Sequence, residues 1–396
     1  MSDNIKKLKT LIVIDNLHVG GVATSLYNFL VYATRYFDID LFVFNEQSVD
    51  SARLPDGVNV LKIPKKLKIL GMGQSEIKKY SFRYALKRAF YVGLTRLTSG
   101  QFARSILFLT VKRLKKYDLA IAYAQDNAWK SLSKGCIDFV VKKVDAKKKM
   151  AFIHCDYSNF GGYNKKQEIM LSRLDYINCV SESCKKSFID KFPTLQSKCI
   201  VIENFIDYKK VVELSNEYET EFANDDYFVS ACRLSSVKGL DRTIGVLGEL
   251  NKERAINCKW VIVGDGPERE NLEVLIDKCG LKNIVFLVGE KENPYPYIKG
   301  ARAFLLPSYN EAAPMVYGES AALGVPIVST DTCSAAELVK DRNIGIVVDN
   351  NEAGIKRGLN EIIDGSIKYR QTDYEEINSF AETHLQNVYT LLCKEM

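Results

Sequence analysis

Short apolar runs alternate with amphipathic helical patterns along almost the whole chain. Leu11–Ile14, Leu41–Phe44 and Ile284–Leu287 are typical of these runs. Continuous β-branched and aliphatic runs separated by helices indicate a parallel sheet covered by helices on both faces. The chain has 396 residues, more than the roughly 250–300 at which a single core stops growing. We therefore predict an α/β fold with two doubly wound, Rossmann-like parallel-sheet domains.

The alternation breaks once, over residues 204–224, and restarts at Tyr227. This break predicts a first domain over 1–205, a second over 206–375, and a last helix over 376–396 that packs back toward the first domain. Ligands of doubly wound sheets bind at the carboxyl ends of the strands. Two such domains facing each other would therefore place a ligand in a cleft between them.

Composition excludes several classes of protein. Hydrophobic residues make up 46% and charged residues 26%, which is ordinary for a globular chain and excludes a disordered or fibrous one. No apolar run reaches the ~18 residues of a membrane-spanning helix, and the apolar run near the start is too short for a signal peptide. Ten cysteines without a CxxC pair favour thiols in a reducing compartment. We expect a cytoplasmic protein.

Positive charge is concentrated in one segment. Residues 61–118 contain 15 Lys and Arg against only Glu76 and Asp118, a net +13, so the remaining residues sum to −7 in a chain of net +6. Aromatic and aliphatic residues alternate with the cations over 80–91. Such a segment is typical of peripheral contact with an anionic membrane surface, and no nucleic-acid motif accompanies it. A helical hairpin with a solvated basic face is the alternative.

Residues 307–326 combine a predicted strand end, a loop and a helix. The helix is expected to start with Pro314 in its first turn and to end at Gly324. Its first backbone N–H groups would then form an anion site at the carboxyl edge of the sheet. Glu319, about 7 Å further along the axis, is suited to accept hydrogen bonds from a vicinal diol. Glu311, in the loop beyond the helix tip, is placed to meet a sugar hydroxyl.

Two cations follow the first strand of the second domain. Arg233 and Lys238 are predicted to stand at the same sheet edge, where together they can neutralise a leaving diphosphate in place of a metal ion. Cations at the start of a helix are mildly unfavourable, so their position favours a functional role over a structural one.

The motifs of the second domain resemble those of retaining glycosyltransferases of family four, which have the GT-B fold. Arg233 with Lys238-Gly239, the turn at 264–267, and Glu311 spaced from Glu319 by seven residues occur in that family's order, and the resemblance is strongest over about 225–345. It implies that Arg233 and Lys238 bind the donor diphosphate, Glu319 the ribose and Glu311 the transferred sugar. It also implies binding of the phosphates and nucleotide base at Ala312, Ala313, Pro314, Met315, Val316, Gly289 and Glu290.

Two features of the first domain are candidates for the same site. Gly20 and Gly21 follow the first strand and let the backbone approach a ligand at a helix start. The resemblance places them against the donor phosphates and the acceptor, and a tight turn is the alternative. His154 ends a strand at the expected cleft. A histidine there is usually structural, but the resemblance implies a catalytic one near the transferred sugar. Weaker candidates are His18, Asp126, Asp156 and Asn204.

Other motifs are interpreted structurally. Asp38 and Asp40 have the spacing of a metal-binding DxD motif but immediately precede a strand, so we predict no metal site. The turn at 264–267 lacks the spacing of a phosphate loop. Nucleophile signatures are absent from the sequence.

The resemblance implies a metal-independent retaining glycosyltransferase without a further cofactor. It would transfer a hexose or N-acetylhexosamine from a nucleotide-diphospho-sugar, with UDP favoured, to a glycan or polyprenyl-linked glycan. Bacterial cell-surface polysaccharide synthesis at the inner face of the membrane is the expected setting. A sugar-nucleotide epimerase on the same scaffold and a non-catalytic protein that binds a sugar nucleotide or a membrane remain alternatives.

Overall fold

The computed structural model describes residues 6–18, 20–126, 131–159, 164–371, 376 and 378–396. They form two compact units. The first unit comprises Met1–Phe205 and Ala381–Met396, and the second unit comprises Ile206–Phe380. The predicted domain boundary at residue 375 lies outside the described residues.

The first unit is built on a seven-stranded parallel sheet. Its strands are β1 (Leu8–Ile14), β2 (Phe37–Val43), β3 (Val58–Val60), β4 (Leu114–Ala122), β5 (Val144–Ile153), β6 (Tyr176–Cys179) and β7 (Cys199–Val201). They lie in the order β3-β2-β1-β4-β5-β6-β7. The strand order therefore reverses between β1 and β4, and ligands of doubly wound sheets bind at such a reversal.

Helices cover this sheet because its strands are apolar on both faces. Leu11–Ile14 of β1, for example, are fully buried. The helices before the second unit are α1 (Gly21–Ala33), α2 (Lys68–Gly71), α3 (Gln74–Tyr80), α4 (Phe82–Leu97), α5 (Gly100–Phe108), α6 (Cys136–Lys143), α7 (Lys165–Leu171) and α8 (Glu182–Lys191). The basic segment 61–118 thus folds mainly as helices α2 to α5 and ends inside strand β4.

The second unit repeats the architecture with a six-stranded parallel sheet. Its strands are β8 (Tyr227–Ala231), β9 (Lys259–Val263), β10 (Val285–Gly289), β11 (Phe304–Leu306), β12 (Ile327–Thr330) and β13 (Gly345–Val348). Their order, β10-β9-β8-β11-β12-β13, reverses between β8 and β11. The prediction of two doubly wound parallel sheets is confirmed.

The helices of the second unit precede, separate and follow its strands in sequence. They are α9 (Tyr208–Leu214), α10 (Leu240–Glu253), α11 (Arg269–Lys278), α12 (Tyr295–Lys299), α13 (Met315–Ala322) and α14 (Glu352–Asp364). In the core, the ring of the fully buried Trp260 stacks on Phe228 with centroids 5.7 Å apart, and its indole N–H donates to Ser230 Oγ at 3.0 Å. The one polar atom of this large side chain is therefore satisfied.

The last helix, α15 (Ser379–Glu395), belongs to the first unit from Ala381 onward. The ring of Tyr389 packs against Tyr36 and Phe37, and its hydroxyl donates to the Lys6 carbonyl at 2.9 Å. Lys148 Nζ on β5 lies 2.6 Å from Glu395 Oε2 near the end of the helix. Residues from both ends of the chain therefore complete the first unit.

The glycines of the turn at 264–267 allow two backbone segments to touch. Gly264 has φ +141°, and a Cβ on it would lie 1.9 Å from the Cys232 carbonyl oxygen. A Cβ on Gly266 would lie 2.2 Å from the Leu234 oxygen. Both glycines pack the turn after β9 against the segment after β8, which agrees with the structural interpretation of this motif.

Asp40 of the DxD pair is hydrogen-bonded within its own unit. It accepts from Asn59 Nδ2 at 2.6 Å and from the Tyr117 hydroxyl at 2.7 Å, while Asp38 is exposed. Within the described part of the chain, no group of three or more His, Cys, Asp or Glu is placed to hold a metal ion.

No described helix combines the length and hydropathy required to span a bilayer. No disulfide joins the cysteines of the described ranges.

Candidate active site

The strongest cluster of predicted site residues lies at the strand reversal of the second sheet. Lys238 follows β8 and Glu311 follows β11, and these two strands are neighbours. Lys238 Nζ lies 2.6 Å from Glu311 Oε1, and the two side chains are only 21% and 14% exposed. The structure therefore brings together two residues that stand far apart in sequence, at the position where doubly wound sheets bind ligands.

Gly239 allows the segment that carries Lys238 to pack closely against the loop after β11. Gly239 has φ +64°, and a Cβ on it would lie 2.3 Å from the Pro307 carbonyl oxygen. A side chain at this position would push the two loops apart, because the obstructing atom belongs to the backbone. The Lys238-Gly239 pair of the sequence motif thus has a geometric cause: the glycine permits the approach that lets the lysine reach Glu311.

Side chains that sequence reasoning missed hold Glu311 in place. Ser308 Oγ donates to Glu311 Oε1 at 2.7 Å, and Thr330 Oγ1 donates to the Ser308 carbonyl at 2.6 Å. Arg242 donates to the Pro307 carbonyl at 2.8 Å, and its guanidinium lies over the Tyr309 ring at 3.8 Å. Ser308 is three residues from Glu311, so their spacing is a local signal. The contacts of Arg242 with Pro307 and Tyr309 join segments that are far apart in sequence, and no local signal could have found them.

The N-terminus of helix α13 lies where the sequence predicts an anion site, after β11 at the carboxyl edge of the sheet. The helix begins at Met315, with Pro314 as an extended N-cap (φ −64°, ψ 131°), and Gly324 follows it with φ +70°. Pro314 therefore lies one residue before the helix, and its prediction in the first turn was wrong by that residue. The first N–H groups of a helix have no intrahelical acceptor and carry the positive end of its dipole. Ala312 and Ala313 lie in the loop that leads to this end.

Glu319 is buried on α13, with 8% of its surface exposed. The Tyr295 hydroxyl donates to Glu319 Oε1 at 3.2 Å. Burial raises the pKa of Glu319 to about 7, and the bond from Tyr295 opposes that rise. The carboxyl group therefore changes its charge near neutral pH. Nothing in the local sequence identifies Tyr295 as its partner.

The other predicted donor-site residues lie along the same edge of the second sheet. Arg233 follows β8, is exposed, and makes no ion pair or hydrogen bond with any residue that the structure describes. Its guanidinium is therefore available to an anion. Gly289 ends β10 and accepts a hydrogen bond from Gly264 N at 2.8 Å, and the exposed Glu290 follows it.

In the first unit, Gly20 is the N-cap of α1 and Gly21 its first residue. A Cβ on Gly21 would meet nothing within 4 Å, and the nearest atom to a Cβ on Gly20 is the His18 oxygen at 4.0 Å. Packing within the described residues does not require glycine at either position. This space at a helix N-terminus beside β1 is what close approach of a ligand to the backbone needs.

Gly21→Ala is expected to raise the free energy of unfolding by about 0.5–1 kcal/mol, because alanine restricts the unfolded chain and meets no obstacle in the folded one. It is also expected to lower turnover if donor phosphates approach this backbone. Gly245→Ala is a matched control, since Gly245 in α10 is equally unobstructed. Denaturant titration measures the stability of each variant, and steady-state rates measure its turnover. Equal turnover in the two variants would contradict a ligand-binding role for Gly21.

His154 is held by the first sheet. Its Nε2 lies 2.9 Å from the Tyr123 carbonyl, and its ring packs beside Tyr123 and Phe152. Burial lowers the pKa of His154 to about 4, so the ring is neutral at pH 7. Since a carbonyl only accepts, Nε2 carries the proton and Nδ1 is left as the acceptor. This geometry fits a positioning role better than repeated proton transfer at Nε2.

Asp126 is hydrogen-bonded to the start of a helix within the first unit. Its two oxygens accept from Ile137 N at 3.2 Å and Asp138 N at 3.3 Å at the start of α6, and Arg104 lies 3.5 Å away. Burial raises the pKa of Asp126 to about 6.

The remaining weaker candidates also have partners inside the first unit. Asp156 accepts hydrogen bonds from Ser158, Asn159 and Ser187, Asn204 accepts one from Ser25, and His18 lies beside Glu76.

Comparison with known proteins finds glycosyltransferases that resemble part of this chain. Residues 213–378 match the family model described as glycosyl transferases group 1. An uncharacterized glycosyltransferase of Methanocaldococcus jannaschii is 31% identical over 162 residues, 40% of each chain. An N-acetylgalactosaminyltransferase of Campylobacter jejuni, which is named for a diphospho-undecaprenol substrate, is 27% identical over 198 residues, 50% of this chain and 53% of that one. The chain thus matches about half or less of the length of these relatives.

The fold likeness extends over the full chain. The crystal structure of Anabaena HepE in complex with UDP and glucose has a TM-score of 0.60 at 15% identity and covers 98% of this chain and 97% of that one. The fold predicted from the motifs is confirmed, because the chain has the GT-B fold of these structures, and the predicted resemblance in sequence is found over residues 213–378, which match the group 1 glycosyl transferase model.

Proposed function

We propose that this protein is a metal-independent, retaining glycosyltransferase that uses a nucleotide-diphospho-sugar. The observation that carries the proposal is the Lys238–Glu311 ion pair, which lies at the strand reversal of a group 1 glycosyl transferase domain. The second unit would bind the donor and the first unit the acceptor.

Five groups at one edge of the second sheet would bind different parts of the donor. The Arg233 guanidinium and the Lys238 ammonium neutralise the diphosphate, together with the N–H groups at the start of α13. Glu319, one turn further into α13, accepts hydrogen bonds from the ribose diol when it is ionised. Glu311 is held by Ser308 and Lys238, and it meets the transferred sugar. The UDP and glucose bound in Anabaena HepE support a UDP-hexose as donor, and the name of the Campylobacter jejuni N-acetylgalactosaminyltransferase supports an N-acetylhexosamine as the alternative sugar.

The chemical step requires no protein nucleophile. The bond between the anomeric carbon and the diphosphate oxygen breaks, and that oxygen takes the electron pair. The acceptor hydroxyl oxygen forms the new bond on the face that the diphosphate leaves, and its proton passes to the departing diphosphate. Lys238 and Arg233 stabilise the charge that develops on the leaving group. Catalysis then consists mainly of positioning and charge stabilisation.

The acceptor in this proposal is a polyprenyl-diphosphate-linked glycan in bacterial cell-surface polysaccharide synthesis. The name of the Campylobacter jejuni relative, which gives a diphospho-undecaprenol substrate, supports this class. An uncharged glycan without the lipid is the weaker alternative, because it would leave the basic segment 61–118 without a role.

A panel of UDP- and GDP-sugars tests the proposal. The protein is incubated with each donor, with and without a lipid-linked glycan extract, and the released nucleotide is measured. We expect release from one donor class that rises when acceptor is present, and a product that keeps the donor's anomeric configuration by NMR. An altered sugar still attached to its nucleotide would indicate an epimerase. Binding without any reaction would indicate a non-catalytic protein, and either result would overturn the proposal.

A further inference from the structure

Helix α4 carries a row of large apolar side chains that the fold does not bury. Phe82, Leu86, Phe90 and Leu97 are 74%, 56%, 67% and 85% exposed. At 3.6 residues per turn they lie within an arc of about 80° around the helix axis, so they form one continuous face. We call these four residues the α4 ridge. Contiguous exposed apolar surface of this kind marks an interaction site.

The opposite side of α4 fixes the direction in which the ridge points. Arg88 donates to the carbonyls of Ile69 and Met72 and, at 3.1 Å, to Ser133 Oγ. Thr95, on the same side, is 2% exposed. The helix is therefore anchored through its polar side, and the ridge faces away from the first unit. Removal of the ridge side chains leaves these anchoring contacts intact.

Cations border the ridge on both sides. Arg83 and Lys87 follow it on one flank and Arg96 on the other, and all three side chains are exposed. Two more apolar side chains stand nearby in sequence: Phe102 in α5 is 50% exposed, and Leu109 just after it is 73% exposed. An apolar stripe with cations along its edges is the pattern of a helix that lies in the interface of an anionic bilayer.

The positive charge around the ridge favours an anionic bilayer as its partner over a second copy of this chain. The segment 61–118 that contains it carries a net +13. A second copy of this chain on the ridge would bring two such surfaces together, and like charges oppose that contact. Phospholipid headgroups of negative charge complement the flanking cations, while the acyl region accepts the phenylalanine and leucine side chains.

We propose that the α4 ridge inserts into the interface of an anionic lipid bilayer and that Arg83, Lys87 and Arg96 contact its headgroups. The ridge belongs to the first unit and shares no residue with the donor site of the second. The inference therefore stands or falls separately from the proposed transferase activity.

Vesicle flotation of the full chain tests the proposal. The vesicles contain phosphatidylcholine alone or phosphatidylcholine mixed with phosphatidylglycerol. We expect the wild type to float with the anionic vesicles and not with the neutral ones. The variant Phe82→Ser/Leu86→Ser/Phe90→Ser should lose at least about tenfold in vesicle affinity, since it lacks three apolar side chains that the wild type would bury in the bilayer. Val274→Ser, at a 69% exposed position on α11, is the matched control and should float like the wild type.

Circular dichroism and thermal melting confirm that each variant is folded, which we expect because every changed side chain is exposed. Leu97→Trp supplies an independent readout: brominated acyl chains should quench its fluorescence, whereas Val274→Trp should not be quenched. Equal flotation on neutral and anionic vesicles, flotation of the triple variant like the wild type, or no quenching of the tryptophan at position 97 would each overturn the proposal. Ridge-dependent association between copies of the protein without lipid would also overturn it.

Discussion

Replacement of Lys238 with methionine is expected to lower kcat by about 10²–10³-fold, the loss measured when one preorganised donor to a developing anion is removed. Lys238 lies at the strand reversal of the second sheet, 2.6 Å from Glu311, and in the proposed reaction its ammonium faces the departing diphosphate. Methionine keeps the length of the side chain and removes its charge. Single-turnover release of nucleotide from the donor identified in the panel measures the effect on the chemical step.

The same exchange at Lys259 is the matched control. Lys259 Nζ also lies 2.6 Å from a carboxylate, Asp225, in the same unit but away from the site. Lys259→Met should leave kcat within about twofold, because Lys259 begins β9 and therefore lies at the opposite edge of the sheet from Lys238. If both variants turned over at the wild-type rate, the assignment of the donor site would be wrong.

Loss of Lys238 also leaves the buried carboxylate of Glu311 without its cation, which can destabilise the unit. The double variant Lys238→Met/Glu311→Gln removes both charges and retains an acceptor for Ser308 Oγ. We expect it to melt close to the wild type and to remain inactive. Recovery of activity in the double variant would contradict a direct role of Lys238 on the diphosphate.

Glu319→Gln is expected to stabilise the protein against unfolding, and more so as pH rises. Burial raises the pKa of Glu319 from 4.5 to about 7, so the folded state holds its proton more tightly than the unfolded chain. The wild type therefore loses stability as pH rises from 4.5 toward 7, and above that range the cost is about 3 kcal/mol. Glutamine carries no charge and still accepts the bond from Tyr295, so it avoids this cost.

Denaturant titrations of both proteins measure this difference. The advantage of Glu319→Gln should grow by about 2 kcal/mol between about pH 5.5 and pH 8.5. Glu270→Gln, at an exposed position on α11, should stay within about 0.5 kcal/mol of the wild type throughout. A constant difference across this pH range would show that Glu319 does not change its charge there.

Loss of the proton from Glu319 should strengthen donor binding, although it destabilises the fold. Only the ionised carboxylate accepts two hydrogen bonds from a ribose diol, so UDP affinity of the wild type should rise about tenfold from about pH 6 to pH 8. In Glu319→Gln, UDP affinity should be lower and should not show the rise with pH that Glu319 causes. Comparison of the two proteins therefore separates the titration of Glu319 from the titration of UDP itself. Isothermal titration calorimetry in buffers of different ionisation enthalpy detects the released proton. Parallel pH profiles for the two proteins would contradict contact between Glu319 and the ribose.

The sheets could be predicted from the sequence because their strands are buried on both faces. Runs such as Leu11–Ile14 and Trp260–Val263 are apolar throughout, and a continuous apolar run between helical patterns has few other places in a fold. The residues at which helices begin and end were harder to predict. Pro314 was predicted inside α13 and lies just before it, because proline is compatible with both positions.

Residues of the candidate site could be proposed from the sequence where a charged side chain has an unusual position. Lys238 and Glu311 follow predicted strands and Glu319 lies within the predicted helix, and the fold brings Lys238 and Glu311 into contact. Arg242 and Tyr295 were missed because their roles depend on which carbonyl or carboxylate the tertiary structure places beside them. The partners of this arginine and this tyrosine lie elsewhere in the sequence, so no local sequence pattern reveals them.

The contribution of α15 to the first unit has a consequence for synthesis on the ribosome. Tyr36 and Phe37 are translated early, yet the ring of Tyr389 that covers them emerges only after the whole second unit. The second unit is continuous in sequence and can fold as it leaves the exit tunnel, whereas the first must keep an incomplete surface until translation reaches its final helix. Nascent chains stalled before Ala381 should therefore expose that surface to chaperones.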